Sequence, residues 1–371
     1  MAEPLKNQYG AEIPRAIARM IQAVHAGFDA NAFLKMALDG YDALELMQRG
    51  HKIADALHTH LPKSFPQAMK ILIASIDEPT GLPEKNSMAS FLFLPHTLYV
   101  AKHGLKHFEI SMHAQHALTQ RFTAEISIRK FIELNQILTL NTLKRWASDS
   151  SEHVRRLVSE GTRPRLPWAP RLRAFQRDPR PVLELLEMLK DDPSLYVRRS
   201  VANNLNDIGK DHPELLFATA ARWMKDASDE RRWIVQHALR SSVKRNEAGA
   251  LRVLGFGKTA NVVIKNASIS PARVKPGTSV TISFDVAGKS ARAQNLLVDL
   301  RVHYVKANGK TSAKVFKLRQ IALAANAVMA FSKRLSLNDL TTRKHYPGVH
   351  RVEAVINGRL TALGEFLLAA N

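Results

Sequence analysis

The chain has 371 residues, a length that favours two or three domains over one. Its 45% apolar and 23% charged residues form a globular composition with ample material for a core. The 54 Lys and Arg outnumber the 33 Asp and Glu, so the net charge of +21 points to a polyanionic partner, and the absence of cysteine excludes disulfides, zinc–thiolate sites and cysteine nucleophiles together. The opening residues, Met1 to Gly10, show no basic stretch followed by an apolar one, so no secretory signal is expected. No apolar run approaches the 18 or so residues of a membrane span. The expectation is a soluble, cytoplasmic protein. Charge is uneven along it: from Lys258 to Asn371 there are 18 Lys and Arg against 5 Asp and Glu, or +13, which leaves +8 for the first 257 residues.

Residues 12 to about 245 read as helical. Apolar side chains recur near every 3.6 residues, as in Ile13, Ile17, Met20, Ile21 and Val24, then Leu44, Met47, Ile53 and Leu57. Pro14, Pro62, Pro66, Pro95, Pro181 and Pro213 fall where first turns or connections are expected, positions at which a missing N–H costs little. Within this region Asp149-x-Ser151-x-x-Val154-Arg155-Arg156-x-Val158 recurs 43 residues on as Asp192-x-Ser194-x-x-Val197-Arg198-Arg199-x-Val201. It recurs after another 34 as Asp226-x-Ser228-x-x-Arg231-Arg232-Trp233-x-Val235. The Ser is expected to cap a helix and the Val to face the core. Such periods predict a HEAT-like array, in which each unit buries its apolar face on its neighbours and the repeated Arg lines one concave wall.

After Gly255-Phe-Gly257 the period changes to two. Val262, Ile264, Val280, Ile282, Phe284, Leu296, Val298, Leu300, Val302, Tyr304, Val352, Ala354 and Ile356 alternate with polar residues. Turn signals fall between them at Lys275-Pro276-Gly277, Asn308-Gly309-Lys310 and Asn357-Gly358-Arg359. Six or seven strands in this length predict an antiparallel β-sandwich of immunoglobulin type. The fold class is thus multidomain: an all-α HEAT-like repeat solenoid over 1–257, then an immunoglobulin-like β-sandwich over 258–371.

Candidate chemistry is densest between Arg121 and Asp207. Ser159-Glu160-Gly161-Thr162-Arg163-Pro164-Arg165-Leu166-Pro167-Trp168-Ala169 joins a carboxylate, two arginines and a tryptophan in a segment whose Gly and Pro break helix, and loops on rigid scaffolds often carry sites. Its bland alternative is a solvated connection whose Trp packs on a helix. Asn203-Asn204-Leu205-Asn206-Asp207 has the composition of a helix C-terminus. Glu125, between Phe122 and Ile128, is an acid in an apolar stretch. Histidines cluster at 96, 103, 107, 113 and 116; the pair 103/107 has ligand spacing but no third partner recommends itself, so no metal site is expected. His345-Tyr346-Pro347-Gly348-Val349 sits among strands and reads as a β-turn. Gly255-x-Gly257-Lys258 lacks the spacing of a P-loop, and no Ser-His-Asp arrangement is legible.

Four blocks together carry a family likeness. They are Tyr41-Asp42-Ala43-Leu44-Glu45-Leu46-Met47-x-Arg49-Gly50, the Ser159–Ala169 block, Tyr196-Val197-Arg198-Arg199-Ser200-Val201-Ala202-Asn203-Asn204-Leu205-Asn206-Asp207-Ile208, and Arg232-Trp233-Ile234-Val235-x-His237-Ala238-Leu239-Arg240. In this order, over residues 12 to about 257, the chain resembles the DNA alkylation repair glycosylases of the AlkC type. The AlkD type shares the HEAT-like fold but lacks the β-sandwich. The resemblance implies hydrolysis of the N-glycosidic bond of cationic N3-alkylated bases in duplex DNA, 3-methyladenine foremost and 3-methylcytosine after it, with the lesion left stacked. It implies Glu125, Glu160 and Asp207 as the acids and Trp168 as the aromatic of the catalytic site. Arg155, Arg156, Arg163, Arg165, Arg198, Arg199 and Arg232 are the candidate phosphate contacts, with His237 beside them at a position where AlkD relatives carry tryptophan. No cofactor, membrane or obligate protein partner is implied, and a monomer acting on alkylated double-stranded DNA is expected. The other reading is a non-catalytic binder of distorted DNA on the same scaffold. Carboxylates among arginines argue for the enzyme, because a purely phosphate-binding surface gains nothing from them.

Overall fold

The computed structural model describes residues 5–80, 89–256, 259–339 and 344–370. Sixteen α-helices lie between Glu12 and Val253 among these residues, and eight strands follow. Gly257 and Lys258 fall outside the described residues. The chain divides into two compact units, one of residues 2–213 and 227–238, the other of 214–226 and 239–371.

The first unit is a HEAT-like stack of helices. Helix Glu152–Gly161 packs on helix Leu195–Ile208, which packs on helix Asp229–Ala238, so the three copies of the repeat stand side by side. Their local chemistry is shared. Asp149 Oδ1 accepts the Ser151 N–H and Asp192 Oδ1 the Ser194 N–H, each at 2.8 Å, while the Ser194 hydroxyl accepts from Tyr196 N–H and caps its helix. Val154, Val158, Val197, Val201 and Val235 are fully buried on the faces that meet. Pro66, Pro95 and Pro181 occupy first turns.

Two close contacts set how helices meet in this unit. Arg49, in the first of the four blocks, is buried and donates to the carbonyls of Leu44, Lys6, Tyr9 and Asp42 beneath the Tyr41 ring, so that block is structural. Gly161 ends its helix so near helix Glu125–Leu134 that a Cβ there would stand 2.5 Å from Ile128 Cγ2. Only glycine permits that approach, and it brings Glu125 and Glu160 to the same place.

In the second unit the strands are β1 (Val262–Ser270), β2 (Arg273–Val274), β3 (Ser279–Gly288), β4 (Gln294–Val305), β5 (Thr311–Leu323), β6 (Val328–Ser336), β7 (Gly348–Ile356) and β8 (Arg359–Leu368). They form a three-stranded sheet in the order β1-β3-β6 and a five-stranded sheet in the order β2-β8-β7-β4-β5, antiparallel except for the β2–β8 pair. Val280, Ile282, Phe284 and Val286 of one sheet meet Val298, Leu300, Val302, Val352, Ala354 and Phe366 of the other in one core. Asn357 and Gly358 both have positive φ, the type I′ turn that Asn-Gly favours, and close the β7–β8 hairpin. A Cβ on Gly358 would lie 2.7 Å from Leu251 Cδ1, so this turn packs on the last helix before the sandwich. The His345–Val349 segment bends at Pro347 and runs into β7. β2, only two residues long, is the strand beyond the six or seven that alternation suggests; it is too short to show a period.

Candidate functional site

Four elements of the first unit bring the site together. Helix Glu125–Leu134 supplies Glu125 in its first turn, where free backbone N–H groups favour a negative charge. Helix Glu152–Gly161 supplies His153, Arg156 and Glu160, which share one face by their spacing of three and four. The following loop supplies Arg163, Leu166, Pro167 and Trp168, and helix Leu195–Ile208 supplies Tyr196. These side chains, with Phe91 and Phe122, line a cavity of about 530 Å³.

The charges in and behind this cavity form an alternating chain. Arg156 Nη1 lies 2.9 Å from Glu125 Oε2, and its Nη2 3.7 Å from Glu160 Oε1. Glu160 Oε1 also accepts from Arg163 Nη1 at 2.6 Å. Arg163 in turn places Nε and Nη2 each 2.8 Å from Asp207 Oδ2, and Lys210 Nζ reaches Asp207 Oδ1 at 2.7 Å. Burial opposes the charge on both arginines. For Arg156 the carboxylates of Glu125 and Glu160 outweigh it, for Arg163 those of Glu160 and Asp207, so both pKa values are raised. Arg156 also lies over the Tyr196 ring at 4.9 Å.

Neutral donors fix the acids further. The Ser200 hydroxyl donates to Glu160 Oε2 at 2.6 Å, and the Thr123 hydroxyl to Glu125 Oε2 at 2.8 Å. Asn204 Nδ2 donates to Ser159 O and to the Thr162 hydroxyl. Helix Leu195–Ile208 therefore grips the Ser159–Arg163 turn through Ser200, Asn204 and Asp207, successive turns of one face.

Of the residues singled out from sequence, Glu125, Glu160, Arg156, Arg163 and Trp168 line the cavity together. Trp168 is 55% exposed, with its ring centroid 6.4 Å from that of Phe91. Asp207 does not line it: it is 1% exposed and its oxygens are taken by Arg163 and Lys210. Three further arginines are half-buried and already hold protein partners. Arg155 is bidentate to Asp192 and bonded to the carbonyls of Asp149 and Ser150, Arg198 donates to the carbonyls of Asp192 and Pro193, and Arg165 is paired with Asp211. For Arg155 and Arg198 the reason lies in the repeat, whose Arg at this position closes back on the carbonyls before its own helix and, in Arg155, reaches the next repeat's Asp. Arg199 is exposed, Arg232 is exposed and 3.1 Å from Asp229, and His237 stacks on Trp233 at 4.9 Å. Tyr196, Ser200, Phe91, Phe122 and His153 escaped the sequence reading. Tyr196 and Ser200 had one available signal, a spacing of eleven and seven to Asp207 on one helix.

The histidine cluster disperses. His96 is fully buried, which lowers its pKa to about 4, and His103 stacks on His58 at 3.7 Å with its pKa lowered, first by burial, to about 4. His107 stacks on Phe65, and His116 bonds Asp149 at 2.8 Å. Among the described residues no group of three His, Asp or Glu could hold a metal ion, and no helix is long and apolar enough to cross a membrane.

Residues 263–370 match the family model described as Uncharacterised protein YhaZ, C-terminal Ig-like domain. A Bacillus subtilis (strain 168) relative, "Uncharacterized protein YhaZ", is 36% identical over 357 residues, which are 96% of this chain and 97% of the relative. The Pseudomonas fluorescens alkylpurine DNA glycosylase AlkC, solved bound to DNA containing an abasic site analog, superposes with a TM-score of 0.91 at 39% identity over 99% of this chain and 100% of that one. With helical repeats and an Ig-like domain in the same order over its full length, this chain belongs to the AlkC-type family of DNA alkylation repair glycosylases.

Proposed function

We propose that the chain hydrolyses the N-glycosidic bond of cationic N3-alkylated bases in duplex DNA, 3-methyladenine foremost and 3-methylcytosine after it, while the lesion stays stacked. The observation that carries this reading is the pair Glu125 and Glu160, fixed by arginines and hydroxyls in a cavity walled by aromatic side chains. An N3-alkylated base already bears a positive charge, so its departure needs no general acid. The deoxyribose is what needs help, because it becomes oxocarbenium-like as the bond breaks. Carboxylates oriented before the substrate arrives stabilise that cation without reorganising. The exposed face of Trp168 favours it by cation–π attraction. Glu160 then orients the attacking water. Asp207, behind Arg163, aims that arginine at Glu160 and adds negative potential. The reaction so written uses no cofactor.

In this reading residues 1–257 are the catalytic and DNA-binding domain, and 258–371 are an accessory DNA-binding domain. The protein acts as a cytoplasmic monomer. Arg199, Arg232 and His237 approach the phosphates, joined by Arg156 and Arg163 at the lesion. Arg155, Arg165 and Arg198 must exchange protein partners for phosphate to do the same. Incubating the chain with methylated duplex DNA and assaying free base by chromatography and mass spectrometry tests the reading. Release of 3-methyladenine supports it. Duplex binding with no base release would make the chain a non-catalytic binder instead.

A further inference from the structure

Arg129 lies one turn after Glu125 on helix Glu125–Leu134 and is 3% exposed. A buried guanidinium ordinarily faces a carboxylate. This one faces backbone carbonyls: Nη1 donates to Gly161 O at 3.2 Å and Arg163 O at 2.7 Å, and Nη2 donates to Pro170 O. The three acceptors begin one residue after Glu160, at the end of its helix, and run past Trp168 in the loop that follows. Between the helices Glu152–Gly161 and Arg173–Arg177 the chain is loop, and Pro164, Pro167 and Pro170 deprive it of donors. Its backbone bonds are few and mostly at its ends: Thr162 and Arg163 N–H to Glu160 O, Ala169 N–H to Leu166 O at 3.5 Å, Leu172 N–H to Pro164 O at 3.2 Å and Gln176 N–H to Leu172 O at 3.0 Å. Beside Arg129, Ile128 meets Gly161 with no room for a Cβ.

We infer that Arg129 is a positioning residue for base excision: its guanidinium fork ties the helix end that carries Glu160, and the loop after it that carries Trp168, to the helix carrying Glu125, and so sets the spacing of the two acids. The inference rests on the glycosylase reading above. Arg129 itself does not line the cavity. Lysine is no substitute, because an ammonium is a point donor and three carbonyls spread over ten residues call for a planar fork.

The test uses the full-length chain with Arg129→Lys and Arg129→Gln. Three quantities are read: single-turnover base release from methylated duplex, affinity for a duplex carrying an abasic-site analogue, and the fluorine NMR lines of the protein labelled with 5-fluorotryptophan. The chain has 4 Trp, and Trp168→Phe assigns the line of interest. Displacing reacting groups by about an ångström costs about a hundredfold in rate, and that is the loss expected for Arg129→Lys, with affinity moving by less than about threefold. The Trp168 line is expected to shift or broaden while the other three stay. A folded Arg129→Lys with a rate within about threefold of wild type, or with an unmoved Trp168 line, overturns the inference. So does a wild-type Trp168 line already averaged over several loop positions, a result that needs no variant to fold. If the wild type releases no base, the glycosylase reading fails, and the fluorine spectra alone decide whether Arg129 holds the loop.

Discussion

Glu160 stands where three donors converge, Arg156, Arg163 and Ser200, on the turn that Gly161 lets approach the next helix. Glu160→Gln keeps the shape, and its amide can still accept from Arg163 while donating to the Ser200 hydroxyl, so the fold should survive. In the proposed reaction, the charge that would face the sugar is lost. Removing one preorganised electrostatic stabiliser costs on the order of 3 kcal/mol in the barrier, roughly a hundredfold. Single-turnover release within about threefold of wild type would take Glu160 out of the site. At this scale the sequence was partly legible. Glu160, Arg163 and Trp168 stood out because Gly and Pro interrupt a helix around unusual chemistry. Tyr196 and Ser200 did not, since a Tyr and a Ser inside a helix look like surface and core residues until the facing helix is known. For Arg155, Arg165 and Arg198 the sequence shows the cation but not the carboxylate or carbonyl bound to it.

The repeated element is held by its aspartates as much as by its valines. Asp192 both accepts the N–H of Ser194, the residue that caps its helix, and binds Arg155 of the preceding repeat in two bonds. Removing one partner of a buried pair leaves an uncompensated charge, so Asp192→Ala should lower unfolding stability by about 3 kcal/mol. Chemical denaturation checks it, and a loss under about 1 kcal/mol would mean that the pair contributes little beyond its cap. Periodicity exposed these helices because three copies repeat it. It was weaker for β5, an edge strand with Leu323 as its one buried residue, where alternation has no core face to report. β4 carries a different signature. Asp299 is 2% exposed with one carboxyl oxygen unpartnered, and burial raises its pKa from 3.8 to about 6. Below pH 3.8 the group is protonated folded or unfolded and costs nothing. As pH rises through 6 the folded chain must bury a charge that the unfolded chain hydrates, and stability falls. Asp299→Asn should therefore raise the melting temperature at pH 8 and leave it unchanged near pH 3.5. The difference at high pH is on the order of 3 kcal/mol. An equal effect at both pH values would mean that packing, not ionisation, sets it.

For the molecule as a whole, charge separates the two ends of the chain more sharply than fold does. The first 257 residues carry +8 and the last 114 carry +13, and charge of that size steers a protein toward a polyanion without specifying a sequence. Lys306, Lys310, Lys314 and Arg319 are all exposed on the β4–β5 hairpin and its edge strand. If the Ig-like domain is a second grip on DNA, these cations displace counterions from the phosphates, and each contact adds about 0.9 to the slope of log affinity against log salt. Replacing all four by Gln in the full-length chain should then flatten that slope by up to about 3.6. The sandwich core is untouched by these changes, so circular dichroism and melting temperature should match wild type. Base release at low salt and saturating enzyme should also be retained, because Glu125 and Glu160 lie in the other unit. An unchanged slope would mean that the basic hairpin faces away from the duplex and that the excess charge serves another acidic partner. A slope that flattens together with loss of base release at saturation would show the hairpin acting on the chemical step, which simple phosphate binding cannot do.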